Sequence, residues 1–233
     1  MNVISHVKHE DRVVVFNDLP RMSNEYTYDI INWFKNVFDC DVCIITGKNE
    51  RYADDFKFPV NYIDWEYEVE EEWIKYYNIV HLWKHWRTCQ LLPKKYKYII
   101  KARSDIHVDG IDTHYFRNLV DFGFKQGWTL GFGHLNTGKV FHNFARKRKG
   151  GPIPWMSDYV ISHQRNAVTD PTETVWPIFE DRPTWQEAKE RCNAHRAWSI
   201  MFGDSHKTEN ILFPITRVEE IDNKQFGRLD DER

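Results

Sequence analysis

The stretch Lys97-Tyr98-Ile99-Ile100-Lys101-Ala102-Arg103-Ser104-Asp105-Ile106-His107-Val108-Asp109-Gly110 changes character halfway along. Its first half reads as a strand, because Tyr98, Ile99 and Ile100 are β-formers that follow the Pro93-Lys94-Lys95 punctuation. In the second half Asp105, His107 and Asp109 alternate. If the chain stays extended, residues two apart point to one side, so two carboxylates and an imidazole share a face. Oxygen donors with one imidazole suit a divalent ion such as Mn²⁺ or Mg²⁺. Arg103 stands just before the acids, and a cation beside a metal site commonly has an anion to hold. An apolar strand that runs into acidic residues is also where open α/β sheets hold their ligands. The plainer reading is a polar strand end in a surface loop, since D-x-H and D-x-D are common triplets.

Upstream, Arg12-Val13-Val14-Val15-Phe16-Asn17-Asp18 is a short apolar run closed by turn residues, the pattern of a buried parallel strand. A helix follows from about Glu25 to Phe38, capped by Ser23 or Asn24, with Ile31, Phe34 and Phe38 on one face and Ile30, Trp33 and Val37 widening it. Asp41 to Gly47 is a second strand, so the chain opens as a βαβ unit. The first βα loop, Asn17 to Ser23, then lies at the C-terminal edge of the sheet, where Asn17, Asp18 and Arg21 can meet a nucleotide or simply face solvent. Val60 to Asp64 is a third short strand, Glu66 to Glu72 an acidic helix start, and Trp73 to Leu91 a long helical region. His81 and His85 in that region are four apart. Leu82 follows His81, so the zinc-protease pattern is absent and a helix surface is the expectation.

Downstream, His114 to Phe122 is helical, and Trp128 to Gly133 is a strand whose glycines permit close backbone approach. Arg146-Lys147-Arg148-Lys149 is the one concentrated basic run, either an exposed loop or a clamp over phosphates. Asp158 enters an apolar segment, as a helix cap or as a base opposite the metal site. Asp170-Pro171-Thr172-Glu173 begins a turn or capped helix, and Thr184 to Glu187 is a capping box before a helix through about Ile200.

Net charge of the 233 residues is −3, so no global basic field favours a nucleic-acid partner. The aromatic excess, 10 Trp, 11 Tyr and 15 Phe, suits both a core and sugar or base stacking. The polar start and the lack of a membrane-length apolar run predict a soluble, cytoplasmic protein. Cys40 and Cys43 form C-x-x-C, but Cys89 and Cys192 are isolated, so buried thiols are expected rather than zinc or redox chemistry.

Together these residues resemble small GT-A-type glycosyltransferases, especially the WavE-like lipopolysaccharide-synthesis enzymes. The resemblance rests on Tyr96 to Asp105, the preceding Trp83 to Leu92 helix, Ser157-Asp158-Tyr159 and Asp170-Pro171-Thr172-Glu173. His107 stands where that family carries the second Asp of Asp-x-Asp, and Asp109 lies two residues later. The resemblance implies a single α/β GT-A-like (Rossmann-like) domain over residues 1–233, with a mixed, mostly parallel sheet flanked by helices. A nucleotide-binding part spans about 11–110 and an acceptor-side part about 111–221. It implies a nucleotide-diphosphate sugar as donor and a glycan hydroxyl, or a hydroxymethylated base in DNA, as acceptor. Asp105 and His107 would hold Mn²⁺ or Mg²⁺ against the diphosphate, Arg103 would support its charge, and Asp158 would take the acceptor's proton. His206 is a further candidate for a phosphate contact, with a structural histidine as the plainer reading. Two other classes remain open on the residues: a metal-dependent phosphohydrolase or nuclease built on Asp105, His107 and Asp109, and a non-enzymatic nucleic-acid-binding module gripping through the basic run.

Overall fold

The computed structural model describes residues 9–17, 22, 24–46, 61–64, 77–133, 147–148, 151–152, 156–181, 183–184, 187, 192, 194–202 and 207–218. Seven strands form the main sheet: β1 (Arg12–Phe16), β2 (Asp41–Thr46), β3 (Asn61–Asp64), β4 (Tyr98–Ala102), β6 (Thr129–Gly133), β9 (Val160–Gln164) and β10 (Thr208–Leu212). Their order is β10-β6-β9-β4-β1-β2-β3. Four short strands stand outside it in two pairs: β5 (Ile106–His107) with β11 (Thr216–Arg217), and β7 (Lys147–Arg148) with β8 (Gly151–Pro152). β1, β2, β3 and β4 run parallel, as do β6 and β10. β9 is antiparallel to both β4 and β6, so it alone is reversed and the other six strands point the same way. The expected mixed, mostly parallel sheet is what the chain forms.

Strand residues alternate between two cores, as the pleat requires. Val13, Val15, Ile99 and Ile161 face one side, and Val14, Phe16, Ile100 and Val160 face the other. The second side is covered by α1 (Asn24–Phe38) through Ile30, Ile31, Phe34 and Phe38, and by α3 (Thr113–Gln126) through Phe116, Val120 and Phe124. Asp112 caps α3 by accepting from the Tyr115 N–H, and Gly127 closes it at φ 70°, a left-handed position that suits glycine. The first side is covered by α2 (Tyr77–Leu91), α4 (Pro171–Thr174) and α5 (Ala194–Met201), with Leu82, Val175 and Trp198 in the core. Helices therefore lie on both faces. Asp170 caps α4, and Thr184 and Glu187 make the expected reciprocal capping contacts.

Three expectations change. The Asp105–His107–Asp109 alternation is not one extended strand: β4 ends at Ala102, the chain bends at Ser104 and Asp105, and only Ile106–His107 is extended again. Asp105 is buried, His107 half-buried and Asp109 exposed, because the Val218 N–H bonds the Asp105 carbonyl and β11 pairs with β5, folding this piece away from the main sheet. His81 and His85 are not on a helix surface. Trp198 of α5 packs on both rings and buries them between α2 and the sheet. Asp158 precedes a strand, so it does not cap a helix. Among the described residues no helix is long and apolar enough to cross a membrane.

Candidate functional site

The chain builds β1, β2 and β3 outward in one direction, then returns to place β4 on the other side of β1. That reversal opens a crevice between the C-terminal ends of β1 and β4, the usual ligand position in open α/β sheets. Asn17 ends β1, and Arg103 and Asp105 follow β4. Because β9 runs backwards, the residues just before it arrive at the same edge. Asp158 is one of them.

Arg103 ties these together. Its Nε and Nη2 donate to Asp105 Oδ1 and Oδ2, both at 2.7 Å, a two-pronged pairing that uses both carboxylate oxygens. Its Nη1 donates to Asp158 Oδ2 at 3.1 Å. The three side chains are 14%, 3% and 9% exposed, so these contacts form with little water. The Arg103 N–H also donates to the Tyr159 carbonyl at 3.0 Å, which fixes its backbone to the segment that carries Asp158. Beneath the site the fully buried Lys101 donates to the Asp158 carbonyl and stands over the Trp198 ring, 5.2 Å from its centre.

The Met156–Asp158 segment is held from β6 and β10. Ser157 donates its N–H to Asn210 Oδ1 at 2.9 Å. A Cβ at Gly133 would come within 2.0 Å of Ser157 Oγ, and one at Gly131 within 2.7 Å of Met156 Cγ. The glycines thus serve close approach by the neighbouring chain.

His195, on α5, completes the group and was not singled out from the sequence. Its Nδ1 lies 3.0 Å from the Met156 carbonyl and 3.5 Å from Asp158 Oδ1. Burial would push the Asp158 carboxyl up, but His195, Arg103, Lys101 and His81 outweigh it and hold the acid well below the carboxylate range. Burial lowers the His195 imidazole below its ordinary value, with Asp158 and the Met156 carbonyl opposing. The site therefore sets a depressed carboxyl beside a buried imidazole. The chemistry this permits is proton acceptance by the ring, with Asp158 balancing the charge.

On the far side of Asp105, Tyr26 donates its hydroxyl to the Ile106 carbonyl at 2.8 Å and reaches His107 Nδ1 at 3.5 Å. Its phenol is pushed up to about 12 by burial and by the negative charges of Asp109 and Asp105. Both Asp105 oxygens accept from Arg103 while His107 Nδ1 lies near Tyr26, so Asp105 could give an oxygen to an ion only by releasing Arg103.

Asn17 is buried at the crevice, its amide 3.5 Å from the His81 carbonyl, and its Oδ1 has no hydrogen-bond partner among the described residues. Asp18, Arg21, Arg146, Lys149 and His206 lie outside the described residues. Lys147 and Arg148 are described as the backbone of β7. The connection bearing them leaves β6 and enters β9 at the same sheet edge as Arg103. Cys40 and Cys43 fall in the two different cores, so C-x-x-C makes no common site. Among the described residues the one trio of metal-ligand side chains is His85, Cys89 and His163, away from this edge.

Neither a family model nor a curated relative matches the sequence. Among solved structures, the chain is similar to 4-diphosphocytidyl-2C-methyl-D-erythritol synthase from Anaerococcus prevotii, at 8% identity and TM-score 0.46 over 88% of this chain and 90% of that one. It is similar to a glycosyltransferase involved in glycosylation of the major capsid of PBCV-1, at 9% identity and TM-score 0.47 over 91% and 94%. It is also similar to the galactosyltransferase LgtC in complex with donor and acceptor sugar analogues, at 9% identity and TM-score 0.49 over 84% and 72%. At this level of likeness no activity or substrate passes from those proteins to this chain.

Proposed function

We propose that this protein is a GT-A-type glycosyltransferase that moves a sugar from a nucleotide-diphosphate donor to a hydroxyl acceptor. The observation that carries the proposal is the Arg103 guanidinium held between Asp105 and Asp158 at the β1–β4 crevice, with His195 beside Asp158. A guanidinium fork at a sheet-edge crevice suits a diphosphate, whose oxygens match the spacing of a carboxylate's. The acceptor oxygen attacks the anomeric carbon, the bond from that carbon to the diphosphate oxygen breaks, and the acceptor's proton leaves. In an inverting transfer His195 takes this proton, and Asp158, kept ionised by Arg103 and Lys101, stabilises the resulting imidazolium. Asp158 thus belongs to the catalytic pair as the partner of the base.

Arg103 exchanges Asp105 for the leaving diphosphate and neutralises its growing charge. Asp105 and His107 are the residues that would hold Mn²⁺ or Mg²⁺, which when bound adds further neutralisation of that diphosphate. Asn17, Asp18 and Arg21 are proposed to line the nucleotide, and Arg146 to Lys149 with His206 the phosphate or acceptor side. A glycan hydroxyl and a hydroxymethylated DNA base both fit such a hydroxyl acceptor.

The test is a transfer assay with UDP-, GDP- and dTDP-sugars, with CMP-sugars as the monophosphate control. His195→Gln and Asp158→Asn are expected to lower turnover about a hundredfold or more while donor binding persists. Parent-like turnover in His195→Gln would remove the proposed base.

A further inference from the structure

α2 turns His85 and Cys89, four residues apart, toward the sheet, and β9 brings His163 against them. One donor atom from each lies within 4.8 Å of the other two, and all three residues are buried. His85 Nε2 and His163 Nε2 are 2.8 Å apart. His163 Nδ1 lies 2.8 Å from the Gln164 carbonyl oxygen. A carbonyl only accepts, so Nδ1 carries the hydrogen and, in the neutral ring, Nε2 carries a lone pair. The His85 Nδ1 is buried and has no hydrogen-bond partner among the described residues. Aromatic rings close the surroundings: Trp198 centres 5.2 Å from the His85 ring and Phe202 5.0 Å from that of His163. A closed core thus concentrates two imidazoles and a thiol.

We propose that His85, Cys89 and His163 bind one thiophilic metal ion, Zn²⁺ or Cu⁺, as a structural centre joining α2 to β9. Thiolate and imidazole donors select these ions over Mn²⁺ and Mg²⁺, so this centre is chemically separate from the sheet-edge site. Metal–nitrogen and metal–sulfur bonds of about 2.0 and 2.3 Å place tetrahedral ligand atoms roughly 3.3–3.6 Å apart. The two ring nitrogens reach that spacing when the rings part by about half an ångström, and the Cys89 sulfur already lies within 4.8 Å of a ligand nitrogen on each ring. Binding breaks the Cys89 S–H bond, releases the proton to solvent and forms the metal–sulfur bond. With Cu⁺ the thiolate leaves a neutral unit beside the buried Lys101 and three donors suffice. With Zn²⁺ one positive charge remains and a fourth donor is called for. The electrostatics therefore favour Cu⁺.

The full chain, unfolded and stripped with a chelator, is refolded under reducing conditions with Zn²⁺ in one arm and Cu⁺ in the other. Metal content and melting temperature are read after removal of free metal. A third arm uses Co²⁺ and looks for a thiolate-to-metal charge-transfer band. The expected result is about one ion per chain in at least one of the first two arms, with a raised melting temperature. Cys89→Ser, nearly the same size, is expected to weaken binding at least about tenfold. A parent chain that stays metal-free with an unchanged melting temperature in both arms overturns the proposal, as does full binding by a folded Cys89→Ser variant. Should that variant fail to fold, the Co²⁺ band in the parent decides: its presence supports Cys89 ligation and its absence overturns it. None of these readouts uses glycosyl transfer, so failure of that reading leaves this test intact.

Discussion

Replacing Arg103 with methionine keeps most of the side-chain volume and removes the one cation that pairs with both Asp105 and Asp158. Those carboxylates are 3% and 9% exposed, so they cannot recover the lost contacts from water. Removing one partner of a buried ion pair costs about 3–5 kcal/mol. The cost is not doubled for two acids, because Asp158 keeps Lys101 and His195 nearby. For a chain of this length each kcal/mol shifts the melting temperature by about 2–4 °C, so the expected fall is roughly 6–20 °C. The pH dependence has a definite sign. The depressed Asp158 carboxyl contributes stability that is present above its unfolded value, near about 4, and is lost as pH falls through its folded value. In the variant the folded Asp158 value rises, so on the acid side the folded variant binds more protons than the parent does. The gap between variant and parent is therefore larger at pH 7.5 than at pH 5. Thermal melts by circular dichroism at the two pH values measure it. A fall of less than about 2 °C, or a gap that widens on acidification, refutes the reasoning.

Below pH 6.5 the parent itself should lose stability. Folded His81, His85 and His195 all titrate below their ordinary value, so the unfolded chain takes up more protons there, with a slope of up to about 1.4 kcal/mol per pH unit for each ring. Urea unfolding at pH 7.5, 6.5 and 5.5 measures this, and constant stability across that range would mean the rings are not buried neutral. Gly133→Ala drives a methyl into Ser157 and shifts Asp158, so it should lower both the melting temperature and turnover; unchanged values would mean the segment is not held from β6. Neutralising Arg146, Lys147, Arg148 and Lys149 together should weaken donor or acceptor binding most at low salt, and equal activity to the parent at low salt would leave the run without a role.

The βαβ opening was legible because it is written locally. Val13 to Phe16 must be apolar on both sides to sit inside a parallel sheet, and α1 carries its buried face at helical spacing. The reversal of β9 was not legible, since Val160 to Gln164 has the same local pattern in either direction. That reversal is what brings Asp158 to Arg103. The even alternation of Asp105, His107 and Asp109 implied one strand face, but the long-range bond from Val218 and the β5–β11 pairing bend the chain there instead. His195 stands 37 positions after Asp158 on a separate helix, and no spacing rule links them (195 − 158 = 37). The burial of His81 and His85 depends on Trp198 of α5, again a partner that local periodicity does not contain.

The proposed donor site is tested most directly by titrating nucleotide-diphosphate sugars into the parent, Arg103→Lys and His195→Gln by calorimetry and thermal shift, with and without Mn²⁺. At least one donor should bind the parent saturably and, at a hundredfold excess over its dissociation constant, raise the melting temperature by about 5–11 °C. His195→Gln should bind it as the parent does, and Arg103→Lys, which has lost the guanidinium fork, should bind it at least about tenfold more weakly. No binding of any such donor by the parent, or equal binding by the parent and Arg103→Lys, would contradict a diphosphate site at Arg103.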